Sequence, residues 1–212
     1  MHRRKKRLIS NLLVGIFTAM STDTAERILD TARRLIAERG YNAFSYADIA
    51  EVVQISKPSI HFHFPTKAVL VQKLLVIYRT TLRAKLAEAS ALLPDPIARL
   101  RAYAAYWESC IRDNSAPFCV CALLAAELPS LPAEVAAEVK GYFRDLAAWL
   151  AATLEDGAAQ GMLTLRRGAV AEAESLMAGV HGAMLSARVY GDADVFAAIV
   201  GDAFERLKRV PA

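Results

Sequence analysis

Residues 45–67 read SYADIAEVVQISKPSIHFHFPTK, and this stretch decides the fold. It has the pattern of two short helices joined by a tight turn. Ser45 is a favourable N-cap for a helix over 46–53, and Ser56 can cap a second helix that tolerates proline in its first turn. Apolar residues recur three and four positions apart in these helices, so each helix has one face to bury.

Two short helices with so tight a turn are typical of the helix-turn-helix motif, whose second helix enters the major groove of DNA. Lys57 and Lys67 fall in the first turns of predicted helices, where the helix dipole favours acidic residues. Lysines at helix starts are explained if each binds a phosphate group there, since helix N-termini and lysine side chains both bind anions. The sequence therefore predicts that this stretch faces nucleic acid.

The local distribution of charge supports the same interpretation. The net charge of +4 is a poor guide, because residues 3–7 alone hold five positive charges. Residues 52–87, in contrast, contain no aspartate or glutamate and carry six lysines and arginines. A surface of one sign is the electrostatic signature of a DNA-binding face. For residues 79–85, a solvated basic helix face is the alternative.

The stretch resembles the DNA-binding domain of the tetracycline-repressor (TetR) family. The matching positions run without a gap through Asp48-Ile49-Ala50, Ile55-Ser56-Lys57, Ile60-His61-Phe62-His63-Phe64, Lys67 and Leu70. Three positions depart from the family pattern, since Val53-Gln54 stands for Ala-Gly, Pro58 for glycine and His61 for tyrosine. The phosphate contact expected of that tyrosine then requires His61 to donate a hydrogen bond.

The resemblance implies an all-α fold, which the abundance of alanine and leucine also favours. It implies a three-helix helix-turn-helix DNA-binding domain over residues 20–66 and a helical-bundle domain for ligand binding and dimerisation over 67–212. The implied function is a dimeric, ligand-responsive transcriptional regulator, a repressor that binds a near-palindromic operator. A small-molecule effector would shift the long helix that begins the second domain, change the spacing of the two heads and release the DNA.

The second helix of the motif is expected to insert residues 57–63 into the major groove, while Ser45, Tyr46 and Lys67 hold phosphates. The full set of expected DNA-binding residues is Ser45, Tyr46, Lys57, Pro58, Ser59, His61, Phe62, His63 and Lys67. The two histidines do not indicate a metal site, because residues two apart do not share a helix face and no further ligand follows at suitable spacing. We therefore expect neither a metal nor another cofactor.

The rest of the chain has the periodicity of helices separated by proline and glycine. A helix over 22–38, which Gly40 ends, precedes the motif and buttresses it in the resembled family. Further helices are predicted over 66–90, 97–114, 118–127, 133–160, 168–189 and 194–208, with a break at Ala116-Pro117.

Aromatic and polar side chains of the second half are candidates for an effector site. The resemblance implies a pocket in this half, and a place in the core is the alternative for each candidate. The candidates are Tyr103, Trp107, Phe118, Cys119, Phe143 and His181.

The three cysteines suggest a second function in the same fold, a thiol sensor of oxidants or electrophiles. The residues concerned are Cys110, Cys119 and Cys121. Buried, unreactive cysteine is the alternative. Their odd number fits no secreted disulfide framework and favours the reducing cytoplasm.

Small residues cluster in the penultimate predicted helix, where each glycine costs up to about 1 kcal/mol relative to alanine. The cluster comprises Ala178, Gly179, Gly182, Ala183 and Ser186. Such residues let another helix approach closely, either within the bundle or, as the resemblance implies, across a homodimer interface that brings two DNA-binding heads together.

Residues 1–19 are basic and then apolar, which superficially resembles a secretion signal but is too short to span a membrane. We expect a non-functional extension with Met20 as the natural start, and no membrane partner. A basic arm that touches DNA and an exported binding module are alternatives. The sequence has no nucleophile elbow, glycine-rich phosphate loop or paired metal ligands, so a helical enzyme is the less favoured alternative to a regulator.

Overall fold

In the described residues, 23–115 and 118–208, the computed structural model forms nine α-helices. They are α1 Thr24–Arg39, α2 Tyr46–Val53, α3 Lys57–His63, α4 Lys67–Leu92, α5 Pro96–Arg112, α6 Val120–Ala126, α7 Ala133–Ala159, α8 Ala169–Tyr190 and α9 Ala193–Leu207. A 3₁₀ turn at Leu128–Ser130 follows α6. The predicted all-α fold is confirmed. The N-terminal extension, Met20 and the Ala116-Pro117 break lie outside the described residues.

The described helices also bear on the membrane question. None of them is both long enough and apolar enough to cross a membrane.

The described residues divide into two compact units. The head unit comprises residues 23–82 and 119–143, which hold α1 to α3, the first part of α4, α6 and the first part of α7. The bundle unit comprises residues 83–115, Phe118 and residues 144–208, which hold α5, α8, α9 and the remainder of α4 and α7. The helix-turn-helix therefore shares a unit with helices from later in the chain, and the predicted domain boundary stays a prediction.

The core of the head unit is built on the apolar face of α1. This helix begins at the N-cap Asp23, whose side chain accepts a hydrogen bond from the N–H of Ala25, and it buries Ile28 and Ile36 completely. Gly40 ends α1 with a φ of +81°, as the sequence predicted, and its N–H donates to the Ile36 carbonyl. Because α1 packs against α2, α3 and α6, it holds the motif in place.

In the bundle unit, α8 packs along α9, and α5 packs against both. The indole N–H of Trp149 donates to the hydroxyl of Ser90 at 2.9 Å, which ties α7 to the end of α4. Arg99 at the start of α5 pairs with Asp156 of α7 at 2.8 Å. Polar contacts thus join α7 to α4 and to α5 in addition to the apolar faces of these helices.

The turn of the helix-turn-helix passes through Gln54, which has a left-handed backbone with φ +59° and ψ +48°. This conformation costs an L-residue other than glycine about 1–2 kcal/mol. The side-chain amide of Gln54 donates to the carbonyl of Glu51 at 2.6 Å and offsets part of that cost. Gln54 therefore replaces the glycine of the resembled family at a position where glycine would adopt the left-handed backbone without strain.

Replacing Gln54 with glycine should stabilise the protein by about 0.5–1 kcal/mol, because the strain relieved exceeds the entropy that glycine adds to the unfolded chain. Urea unfolding measures the change. Glu51→Gly is the matched control, since Glu51 is exposed within α2 and glycine should cost about 1 kcal/mol there. Effects of the same sign at both positions would contradict a strained turn.

Candidate nucleic-acid interface

A closed capping box sets the start of α2. The Ser45 hydroxyl accepts a hydrogen bond from the N–H of Ala47 and donates to Asp48 Oδ2 at 2.7 Å, while the Ser45 N–H donates to the same oxygen at 2.8 Å. These hydrogen bonds from Ser45 lower the pKa of the Asp48 carboxyl. The predicted N-cap is confirmed, and its hydroxyl hydrogen is committed to a partner inside the motif.

The packing of α3 decides which of its side chains reach solvent. Ser56 caps this helix and accepts from the N–H of Ser59 at 3.3 Å. Ile60 is fully buried and Phe64 is 6% exposed, so the predicted inward face is confirmed. On the remaining surface, Phe62 is 85% exposed. The other expected DNA-contact residues of α3 are exposed or half-buried: Lys57, Pro58, Ser59, His61 and His63.

Four of the residues expected to bind DNA line one shallow depression next to α3. They are Ser45, Tyr46, His61 and Lys67, with Phe44 as the fifth lining residue. The rings of Tyr46 and His61 meet edge to face with their centroids 4.8 Å apart. His61 Nδ1 lies 3.1 Å from the carbonyl oxygen of Pro65. Residues that are as much as 22 positions apart in the chain therefore form one small polar surface.

The hydroxyl of Tyr46 is bound to the protein's own backbone. It donates to the carbonyl of Phe64 at 2.8 Å, which joins the start of α2 to the end of α3. Burial, together with the neighbouring Tyr41, raises the pKa of Tyr46 to about 12. In this arrangement Tyr46 can offer a phosphate no hydroxyl hydrogen.

Lys67 holds the start of α4 against the loop before α2. Its ammonium donates to the carbonyl of Phe44 and lies 4.2 Å from the Phe44 ring centroid and 4.6 Å from that of Tyr41. Burial lowers the pKa of Lys67. A cation over two aromatic faces with a carbonyl acceptor is a stabilising structural contact. The phosphate contact expected of Lys67 stays a prediction, and the structural role is one that the sequence did not indicate.

A carboxylate missed by the sequence analysis fixes the loop between α1 and α2. Glu127, just after α6, accepts hydrogen bonds from the N–H of Tyr41 at 2.7 Å and from the N–H and side-chain amide of Asn42 at 3.1 and 2.7 Å. A Cβ at Gly40 would lie 2.0 Å from Glu127 Oε1, so glycine serves both the left-handed backbone and this approach. The partners are 85 or more positions apart, and no local pattern could reveal them.

Glu127→Ala should destabilise the head unit by about 1–2 kcal/mol, because two backbone N–H groups and an amide lose their acceptor. Amide hydrogen exchange at Tyr41 and Asn42 should accelerate, which NMR measures directly. Glu155→Ala is the control, since Glu155 is an exposed glutamate of α7 in the bundle unit and should have little effect. Unchanged exchange at Tyr41 and Asn42 would refute the importance of this contact.

The residues expected to bind an effector belong to both units. Cys119 and Phe143 lie in the head unit, whereas Tyr103, Trp107, Phe118 and His181 lie in the bundle unit. Tyr103 and Trp107 are 3% and 2% exposed, so both are core residues of their unit. Burial lowers the pKa of His181 to about 4, so its imidazole is neutral near pH 7.

The cysteines are buried thiols without a disulfide. Cys119 and Cys121 are fully buried and Cys110 is 5% exposed. Burial raises the pKa of Cys119 and raises that of Cys121 well above the usual value, and the Cys119 thiol donates to the Tyr142 hydroxyl at 3.4 Å. Oxidant-sensing cysteines combine exposure with a lowered pKa. This geometry therefore favours the alternative of buried, unreactive cysteines over the thiol sensor.

The small residues expected at the dimer interface differ in exposure. Ala178 and Gly182 are exposed, Gly179 and Ser186 are half-buried, and Ala183 is 1% exposed. Ala183 thus packs inside its own subunit, because its side chain lies on the face of α8 that is turned to the bundle. Leu185 and Val189 on the same helix are 54% and 71% exposed, and the sequence analysis did not include them.

Metal-ligating side chains do not cluster in the part of the chain that the structure describes. No group of three or more histidine, cysteine, aspartate or glutamate residues there could hold a metal ion.

Comparison with known proteins identifies the family. The model of bacterial regulatory proteins of the tetR family matches residues 28–74, and that of the tetracyclin repressor-like C-terminal domain matches residues 96–201. The chain belongs to the TetR family. It is a DNA-binding transcriptional regulator, and the family consists of regulators rather than enzymes.

Similar structures and a curated relative agree with this assignment. A TetR-family regulator from Agrobacterium tumefaciens is 54% identical, with 87% of this chain and 97% of that one covered and a TM-score of 0.85. A TetR regulator from Legionella pneumophila is 26% identical over 90% of this chain and 100% of that one, with a TM-score of 0.78.

The curated relative is the uncharacterized HTH-type transcriptional regulator YuxN of Bacillus subtilis (strain 168). It is 39% identical over 51 residues, which are 24% of this chain and 18% of the relative's length. The similarity to YuxN therefore concerns a segment the size of a DNA-binding domain, and it carries no inference about an effector.

Proposed function

We propose that this TetR-family regulator is a dimeric repressor that binds a near-palindromic operator and releases it when a small-molecule effector binds. The single observation that carries the proposal is the exposed face of α3. Phe62 projects from that face, 85% exposed, beside exposed Lys57 and His61. An aromatic ring exposed to this extent on a short helix supports contact with base edges, sugars or thymine methyl groups.

Electrostatics support the same orientation of the head on DNA. Residues 52–87 contain no acidic side chain, so nothing within this stretch repels the phosphate backbone. Lys57 at the start of α3 is exposed and can pair with a phosphate. Because it binds chromosomal DNA, the protein is proposed to act in the cytoplasm.

Lys57→Ala should weaken binding to the DNA upstream of the protein's own gene and reduce the slope of log K against log salt by about 0.9 per head, the value for one phosphate contact. Fluorescence anisotropy over a salt series measures both quantities with the full chain. Lys140→Ala, an exposed lysine of α7, is the control and should leave the slope unchanged. A wild-type affinity no greater than for random DNA would contradict sequence-specific binding to this region.

An apolar stripe on α8 supports the dimer. Ala178, Gly182, Leu185 and Val189 follow the spacing of one helix face, and all four are exposed. Among the described residues, no atom other than those of its chain neighbours and of the adjoining helix backbone lies within 4 Å of a Cβ placed at Gly182. Small residues in the middle of the stripe allow the same helix of a second subunit to approach closely, and a twofold dimer would present two heads to two half-sites about 34–36 Å apart.

Leu185→Glu should weaken the dimer by at least tenfold in Kd, since two unpaired carboxylates would be buried near the twofold axis. Analytical ultracentrifugation measures the effect. Leu92→Glu is the matched control, because Leu92 at the end of α4 is 55% exposed, as Leu185 is 54% exposed. If both variants dimerise like the wild type, α8 does not form the interface.

Two grounds support the proposed response to an effector. They are the behaviour of the TetR family and the aromatic core of the bundle unit. An effector changes DNA affinity only if it binds the DNA-free arrangement more tightly than the DNA-bound one. Neutral His181 and the buried aromatic residues Tyr103 and Trp107 favour an uncharged, largely apolar molecule. Release of bound DNA by candidate molecules, followed by anisotropy, tests this part of the proposal.

A further inference from the structure

We propose that His61 forms a phosphate subsite that works only when its imidazole carries both protons, so that DNA binding takes up a proton at each head. The inference rests on the proposed DNA-binding function and assigns a chemical state to one of its contacts. It starts from the hydrogen bonds of the depression that Ser45, Tyr46, His61 and Lys67 line.

The two hydroxyl groups of this depression have no hydrogen left for a phosphate. The Ser45 hydroxyl donates to Asp48 Oδ2 at 2.7 Å, and the Tyr46 hydroxyl donates to the Phe64 carbonyl at 2.8 Å. A phosphate diester offers acceptors only, so it needs donors from elsewhere. Among the lining residues, these are Lys67 and His61.

The contact with Pro65 fixes which nitrogen of His61 holds its proton. Nδ1 lies 3.1 Å from the Pro65 carbonyl oxygen, which can only accept, so Nδ1 carries hydrogen. In the neutral imidazole Nε2 is then a bare acceptor and repels a phosphate oxygen. The second proton converts Nε2 into a charged donor, and charge-assisted hydrogen bonds to phosphate are among the strongest in proteins.

The charged and titratable groups around His61 set the sign of the effect. Tyr46 of α2 faces its ring, Lys67 of α4 lines the same depression, and Lys57 and His63 lie on α3. A phosphate diester beside Nε2 can accept a hydrogen bond from the imidazolium but not from the neutral ring with its proton on Nδ1. Asp48 is held by Ser45 and by Arg39 at 3.3 Å. DNA binding therefore favours the protonated form, and affinity falls as pH rises.

The test uses the full chain and a duplex of arbitrary sequence, roughly 30 base pairs long, because phosphate contacts do not depend on sequence. Anisotropy is followed between pH 6 and 8, the range in which histidine side chains change charge. We expect the affinity to fall about tenfold across this range. The slope of log K against log salt should be smaller at pH 8 by about 0.9 per head, which reports the loss of one phosphate contact.

His61→Tyr supplies a neutral hydroxyl donor and should flatten the pH dependence of both quantities. His63→Asn, the neighbouring histidine, should keep the pH dependence even if it weakens binding overall. His181 cannot cause the effect, because burial holds its pKa at about 4. A pH dependence that His61→Tyr retains, or one absent from the wild type, would overturn the role of His61 alone. No binding at any pH would overturn the proposed function as well.

Discussion

The carboxylate of Glu127 is the contact on which the geometry of the head unit depends. It accepts hydrogen bonds from the backbone N–H groups of Tyr41 and Asn42 and so fixes the loop between α1 and α2. That loop ends in Phe44, whose carbonyl holds the Lys67 ammonium at the start of α4. One acceptor after α6 thus fixes the loop that leads into α2 and whose last carbonyl contacts the start of α4.

Several polar groups of the head unit hold the unit together. Ser45 closes a capping box with Asp48, and Tyr46 binds the Phe64 carbonyl, so two side chains predicted to hold phosphate serve contacts within the motif. These side chains and the exposed side chains of α3 therefore have different roles. Residues around the motif fix the position of α3, and side chains of α3, above all Lys57 and Phe62, remain exposed for the proposed contact with DNA.

Local rules predicted much of the motif, because they depend on neighbours in sequence. The cap at Ser45, the stop at Gly40 and the inward face of α3 follow from capping chemistry and helical spacing, and all are present. Lys67 shows the limit of such rules. Its place at a helix start indicated an anion, but local pattern cannot distinguish a phosphate from the Phe44 carbonyl 23 positions earlier. The sequence could not predict that Ala183 is buried inside its own subunit either, since burial there depends on which helix packs against that face of α8.

The contents of the head unit bear on how a signal could alter DNA affinity. The helix that ends just before Glu127, α6, has Cys119 as its N-cap, and the Cys119 thiol contacts Tyr142 of α7. Arg79 of α4 pairs with Glu138 of α7 at 2.6 Å, with room made by Gly141, where a Cβ would lie 2.3 Å from the guanidinium. Elements from the second half of the chain are therefore in direct contact with the loop that positions the motif. Since packed elements shift between discrete arrangements rather than deform continuously, an effector need favour only one arrangement of α6 and α7 to alter that loop.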